Sequence, residues 1–389
     1  MRKRGLTIEV ASINPSDRSR KDLPPVEAAE ADRTFYVKSG GFIRVGFRVF
    51  VIALLRPLTV LRGLRVISNL GGWDLRSRAF ALFYLAEALL VGQWMRRRSL
   101  QHLHVHFGGP VATVGMLVSK TWKIPWSLTL HGPDEFFDQD AFYLRQKIDS
   151  ASFVVCISDF CRSQVLRIAP EMEDDRLEVI RLGVNCDELR PQSTNLTAPD
   201  EKSSSSPIRI VCTGRMVTAK GHRILLQALA LLAADGLEIS CTLIGDGPER
   251  RSLESLSRRL GIVEHIQFLG AMAHQATLSE VAQADIFVLA SFAEGLPVAL
   301  MEAMALGVPC VSTTIAAIPE LIEDGENGLL TPPANPVALH TALARLVNDI
   351  ALRRHLGYKA RATVDIHYNL EVNLGKLAQM WSRRLPEDT

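Results

Sequence analysis

Two carboxylates eight residues apart, Glu294 and Glu302, bracket the stretch Gly295-Leu296-Pro297-Val298. Before them, Ile286 to Ala290 is a short apolar run of the kind that fills a buried parallel strand. Pro297 fits the first helical position, Gly307 supplies a stop, and Pro309 lies just beyond. A strand that feeds a helix through a short turn containing Gly puts that turn at the carboxyl end of the strand. There the free N–H groups of the helix start point outward and attract anions. Amides for phosphate, beside carboxylates that accept hydroxyl protons, are what a nucleotide-sugar site needs. A second turn of this kind follows the strand-like Ile208 to Cys212. It runs through Gly214-Arg215 to Lys220-Gly221, which opens a long helix to Ala233. Two side-chain cations at a helix start make an anion site, and no GxxxxGK[ST] spacing marks a Walker loop.

These turns must be carried by α/β units, and 389 residues allow two or three domains. Hydrophobic content of 47% and charge of 22% are those of a globular chain. A net charge of +2 leaves no nucleic-acid footprint. The charge is uneven: residues 1–100 hold 18 Lys and Arg against 8 Asp and Glu, a net of +10, so the remaining 289 carry −8. A basic first part suits a negative surface or an anionic acceptor. Six Cys stand singly with no CxxC, the pattern of buried reduced thiols in a cytosolic protein. Met1-Arg-Lys-Arg lacks the apolar core of a signal peptide, and the uncharged apolar stretches fall short of the ~20 residues that a spanning helix needs.

Taken in order, Leu6 to Ile13 alternates as a strand. Gly40 to Leu70 is basic and apolar, with Arg44, Arg48 and Arg56 at helical spacing and no acidic residue. It suits two readings: helices lying in an anionic bilayer surface, or a core-packing helical pair whose Arg heads reach water. Ala79 to Met95 is a further apolar helix. His102, His104 and His106 alternate on one strand face without a further ligand at metal spacing, so no metal site is expected. Ser127 to Leu130 is a strand ending in His131-Gly132, which faces the crevice of an open α/β sheet. Asp138-Gln139-Asp140 reads as a solvated loop, and Ser158 as the cap of a helix after the strand Phe153 to Ile157. Pro191 to Pro207 is polar and rich in Pro and Ser, a linker. Strands at Cys241 to Ile244, Ile266 to Gly270 and Val311 to Thr314 follow.

The string from Asp285 to Pro309, with its E-x7-E spacing, Gly-Leu-Pro after the first Glu and a Glu-Ala-Met helix, resembles the signature of retaining GT-B glycosyltransferases of family 4, the exopolysaccharide and colanic-acid type. The resemblance is strong over residues 208–333 and weak before 95. It implies two Rossmann-like domains facing across a cleft: 1–190 on the acceptor side, a linker at 191–207, a nucleotide-sugar domain at 208–365, and a helix at 366–389 crossing back. It also implies that the first strand and helix of the N-terminal domain are absent, with Leu6 to Ile13 as the second strand. No cofactor or metal is implied. The donor is a UDP- or GDP-linked sugar held by Gly214, Arg215, Lys220, Met272, Glu294, Gly295, Leu296, Pro297, Val298 and Glu302.

By the same resemblance, Glu302 accepts from the ribose hydroxyls, while Glu294 and the amides from Gly295 onward fix the sugar. Arg215 and Lys220 hold the diphosphate, His131 approaches the transferred sugar, and Ala271 and Met272 flank the nucleobase. The family carries Gly where Ala316-Ala317 stand, and Ala resists φ > 0. The implied activity is metal-independent hexosyl transfer, EC 2.4, to a glycan or a polyprenyl-diphosphate-linked acceptor. It would take place in the cytoplasm, peripheral on the inner membrane face, with residues 40–70 against the anionic surface. An inactive scaffold in a polysaccharide complex and a same-fold nucleotide-sugar epimerase are the alternatives.

Overall fold

The computed structural model describes residues 2–16, 19–70, 75–140, 142–190 and 206–385. Residues 191–205 of the expected linker lie outside them. Two units result: one takes the chain up to 156, then 162–179 and from 376 on, and the other takes 157–161 and 180–375.

In the first unit, β1 (Ala11–Ser12) and β2 (Phe35–Tyr36) pair in parallel as a two-stranded sheet. The strand expected over Leu6 to Ile13 is therefore shorter. A strand extends only as far as its partner, and only the carbonyls of Val10, Ser12 and Ile13 receive amides, from Phe35, Val37 and Lys38. A four-stranded parallel sheet follows in chain order: β3 (Leu103–His106), β4 (Trp126–Leu130), β5 (Val154–Cys156) and β6 (Leu177–Val179). The basic apolar segment forms two helices, Gly41–Leu55 and Pro57–Asn69. Pro57 cannot continue the first helix, and Arg56 ahead of it leaves the helical region at φ −140°, ψ 59°. This pair packs on the helices Leu75–Arg97 and Pro110–Trp122, with Gly63 set so closely against Leu85 that a Cβ there would lie 2.3 Å from it.

The second unit holds six parallel strands: β7 (Ile208–Thr213), β8 (Ile239–Ile244), β9 (Ile266–Gly270), β10 (Ile286–Leu289), β11 (Cys310–Thr313) and β12 (Leu329–Thr331). Their order, β12-β11-β10-β7-β8-β9, is the doubly wound one with the first strand beside the fourth. All-apolar strands such as Ile286-Phe287-Val288-Leu289 are buried on both faces because helices cover both sides. One core cluster includes Phe287, Leu300 and Met304, and the other includes Leu226, Leu229 and Val288. All six thiols are free and buried.

Gly221 begins the helix His222–Ala234 at φ +63°, where a Cβ would lie 1.9 Å from the Ala290 carbonyl oxygen at the end of β10. Both backbone conformation and space therefore require Gly there. Gly221→Ala is expected to lower stability by about 2–4 kcal/mol, from left-handed strain plus overpacking, read as a drop in the urea midpoint at unchanged m-value.

Candidate active site

In the doubly wound order, the chain direction across the sheet reverses between β7 and β10. Crevices of α/β sheets open at the carboxyl ends of such a strand pair. The turns at that edge are tied to one another through the backbone. The Met216 N–H donates to the Asp246 oxygen (2.9 Å), the Gly245 N–H to Gly270 (2.8 Å), and the Phe292 N–H to Ala219 (2.7 Å). A Cβ at Gly245 would stand 2.0 Å from the Gly214 oxygen, so the turns after β7 and β8 touch main chain to main chain.

This lacing brings two of the sequence-derived residues together. Lys220 Nζ donates to Glu294 Oε1 at 2.6 Å, and Ser291 Oγ donates to the same oxygen at 2.7 Å. Glu294 is only 8% exposed, and a carboxylate taken so far out of water needs such partners. The amides just after it are positioned differently. Pro297 caps the helix Val298–Ala305 and does not enter it, because the first intrahelical bonds, from Leu300 and Met301, end on its carbonyl. Among the described residues no carbonyl takes the amides of Gly295, Leu296, Val298 or Ala299. Leu296 buries its side chain in the core, so what it can offer a ligand is main chain. Gly307, at φ +72°, ends the helix as expected.

Glu302 sits on the second turn of that helix, 3.5 Å from His274 Nε2. Burial raises its carboxyl pKa, and His274 acts in the opposite direction. His274 opens the helix His274–Ala282, directly after Met272 and Ala273, and Met272 packs on the core. The carboxylate assigned to ribose and the residues assigned to the base are thus neighbours through one imidazole. Arg215 is exposed and has no carboxylate partner among the described residues. Gly214, ahead of it, has φ +151° and lies over the Lys220 stem. Ala316 adopts φ +44° despite its Cβ, so the turn after β11 takes the left-handed conformation that Gly would take more easily.

His131 lies in the first unit, at the end of β4. Its Nε2 is 3.0 Å from His106 Nδ1, and its ring stacks on Phe107 at 4.3 Å. Burial, with His106 adding to it, lowers the His131 pKa to about 4, so the ring is neutral at pH 7. His104 bonds Ser127 and Thr129, at 2.8 and 2.9 Å, and His102 bonds Ser127 at 2.8 Å. Trp381 closes over both rings. Asp138 and Asp140 are exposed, and no cluster of His, Cys, Asp or Glu among the described residues is placed to hold a metal ion.

Sequence reasoning missed Ser291, His222 and His274 here. His222, buried one residue past Gly221, has an Nδ1 with no partner among the described residues, and burial followed by Lys220 lowers its pKa to about 4. Its place in Lys220-Gly221-His222 was its only signal. Ser291 and His274 had none, since a hydroxyl three residues before a Glu and a His at a helix start are both common.

The family model described as Glycosyltransferase Family 4 matches residues 32–188, and that described as Glycosyl transferases group 1 matches 195–363. The chain is a GT-B glycosyltransferase of the family 4 type. Among relatives of this glycosyltransferase, alpha-D-kanosaminyltransferase of Streptomyces kanamyceticus is 25% identical over 357 residues, covering 87% of this chain and 90% of the relative. The putative colanic acid biosynthesis glycosyltransferase WcaL of Salmonella typhimurium is 32% identical over 176 residues, covering 44% of this chain and 42% of the relative. Anabaena HepE, solved in complex with UDP, shares the fold at TM-score 0.67 and 21% identity, over 76% of this chain and 82% of that one.

The Glu302 shift fixes the sign of a pH effect. A carboxyl whose folded pKa is raised above its ordinary value of 4.5 favours folding in its protonated form. That contribution is present below 4.5 and is lost as pH rises through the folded value. Glu302→Gln stays neutral throughout. It is expected to unfold at higher urea than wild type at pH 7, with the difference closing as the pH falls to 4.5.

Proposed function

We propose that this glycosyltransferase moves a hexosyl residue from a UDP- or GDP-linked donor to a glycan or polyprenyl-diphosphate-linked acceptor, with retention of anomeric configuration and without a metal. The observation that carries the reading is the Lys220–Glu294–Ser291 contact at the reversal point of the second unit's sheet, beside a helix start with free amides. In this reading Gly214, Arg215, Lys220 and those amides take the diphosphate. Glu302 and Met272 take the nucleoside, and Glu294 with Gly295 to Val298 takes the sugar hydroxyls.

The bond from the anomeric carbon to the phosphate oxygen breaks, and a bond to the acceptor oxygen forms on the same face. The acceptor proton passes to the leaving phosphate. The developing charge meets cations and dipoles already in place, which costs little reorganisation. His131, neutral and fixed, is the first unit's residue for the transferred sugar. UDP bound to HepE supports the donor class, and likeness to WcaL supports a role in exopolysaccharide assembly.

The acceptor side of the reading places the enzyme in the cytoplasm, at the inner membrane face. Ile43, Phe47, Phe50 and Leu54 form one exposed stripe on the helix Gly41–Leu55, with Ile43 92% and Phe47 67% exposed. Leu58, Leu61 and Leu64 are exposed as well, on the next helix. Five Arg and no acidic residue accompany them between Gly41 and Leu70. An apolar stripe flanked by cations alone matches an anionic bilayer surface. Among the described residues no helix is long and apolar enough to cross a membrane.

Two experiments test the reading. Calorimetry with UDP, GDP and ADP should show tight binding of one nucleotide, weakened in Glu302→Ala by about 1.5–3 kcal/mol, roughly 10- to 150-fold. No binding by a folded protein would favour the inactive-scaffold alternative. Vesicle flotation should show binding to phosphatidylglycerol vesicles and not to phosphatidylcholine ones. Phe47→Glu with Phe50→Glu should weaken it about tenfold or more, with transfer to a soluble acceptor retained; equal binding to both vesicle types would count against the membrane assignment.

A further inference from the structure

Among the charged side chains buried in the first unit, Glu87 pairs with Lys38, while Lys147 and Glu135 face main chain and belong to no step above. Lys147, on the helix Leu144–Ser150, is 0% exposed. Its Nζ donates to the carbonyl oxygens of Gly108 (2.7 Å) and Gly109 (2.9 Å), in the turn after β3. Glu135 is also buried. Its Oε1 accepts from the Gly108 N–H at 2.6 Å, and its Oε2 accepts from the His131 N–H at 2.8 Å and the Gly132 N–H at 3.2 Å.

Gly108 is therefore held from both sides, its amide by the carboxylate and its carbonyl by the ammonium. The same carboxylate holds the main chain of His131. Phe107, one residue before Gly108, stacks on the His131 ring, and it does so from a positive φ of 67° that a side chain rarely adopts. A strained residue of this kind persists only where its surroundings over-determine it.

We infer that Lys147 and Glu135 are positioning residues. Acting as a charged clamp on the turns after β3 and β4, they fix the Phe107 ring and, against it, the imidazole of His131. Neither touches substrate, since both are out of solvent. The geometry explains why charge is used here. An ammonium can bond two carbonyls and a carboxylate can bond three amides, so one pair satisfies five main-chain groups where neutral side chains would leave some unpaired. Burial pushes the Lys147 pKa down to about 7, with Glu135 opposing the shift. The clamp is thus costly in isolation and is held by its partners.

This inference rests on the reading of His131 as a sugar-side residue, and the test separates the two. Purified full-length His131→Ala, Lys147→Met and Glu135→Gln would be assayed for sugar transfer. The imidazole of His131 would be followed by nitrogen–proton NMR at one pH. Lys147→Met and Glu135→Gln are each expected to lower kcat about 10- to 100-fold, with donor KM within about threefold, and to move the His131 ring signals. Where Lys147→Met does not fold, Glu135→Gln carries the test, because it keeps the shape and an acceptor oxygen. Wild-type kcat and unmoved ring signals in a folded Glu135→Gln would overturn the clamp, whatever the loss of thermal stability. Wild-type kcat in His131→Ala would overturn the role of His131 and leave the clamp to be judged by the ring signals alone.

Discussion

A parallel sheet whose first strand lies in its middle cannot cover its own carboxyl edge at the point of reversal. After β7 the chain leaves for one face, after β10 for the other, and the edge between them is left to the turns themselves. Backbone groups there have no sheet to pair with and must find one another. They do so through the bond from Phe292 to Ala219, and the bond from Met216 to Asp246 ties the turn after β7 to the turn after β8 alongside. Close main-chain approach then dictates Gly at 221 and 245, and short turns bring Lys220 and Glu294 into contact. The chemistry of the site is a by-product of closing that edge.

Both units handle the same difficulty with carboxylates. Glu135 receives three strand-end amides in the first unit. In the second, Glu320 receives the Asp159 and Phe160 amides at 2.9 and 2.6 Å, with Arg181 alongside. A carboxylate at a helix start or turn satisfies orphan N–H groups and complements their dipoles. Glu294 differs because its partners are side chains, and the amides beside it stay available. Glu302 differs again: it has one weak neighbour and a raised pKa. A group that is stable where it stands, and one that is not, sit eight residues apart on the same strand–turn–helix.

Much of this was legible in the sequence. The strand at Ile266 to Gly270, the helix start after Gly221 and the turn that holds Glu294 and Gly295 follow from apolar run length and Gly placement, which are local signals, whereas Pro297, which reads as the first helical residue, caps the helix instead. The order of the strands was legible only through resemblance, since nothing local states which run pairs with which. Leu6 to Ile13 alternates like a strand, yet only Ala11–Ser12 pairs, because pairing depends on how much partner Phe35–Tyr36 offers. Lys147 was invisible for a similar reason. Lysine in a charged helical stretch is ordinarily solvated, and its burial is decided by Gly108 and Gly109, 39 and 38 residues away. Ala316 shows the reverse: the residue type argues against φ > 0, and the turn imposes it.

The second unit is not continuous along the chain, and this bears on modularity. Its core cluster includes Ile157, Val184, Cys186 and Leu189 beside Ala305, Ala360 and Tyr368. Arg361 adds bonds to the carbonyls of Cys186, Leu189 and Ala305, and Val184 bridges Asn369. A fragment cut at the polar stretch 191–205 would lose four buried apolar residues and leave a guanidinium short of two of its acceptors. Recombination between glycosyltransferases that exchanges the second unit intact must therefore carry residues 157–161 and 180–190 along with it. The seam at which such genes can trade halves lies upstream of the stretch that reads as a linker.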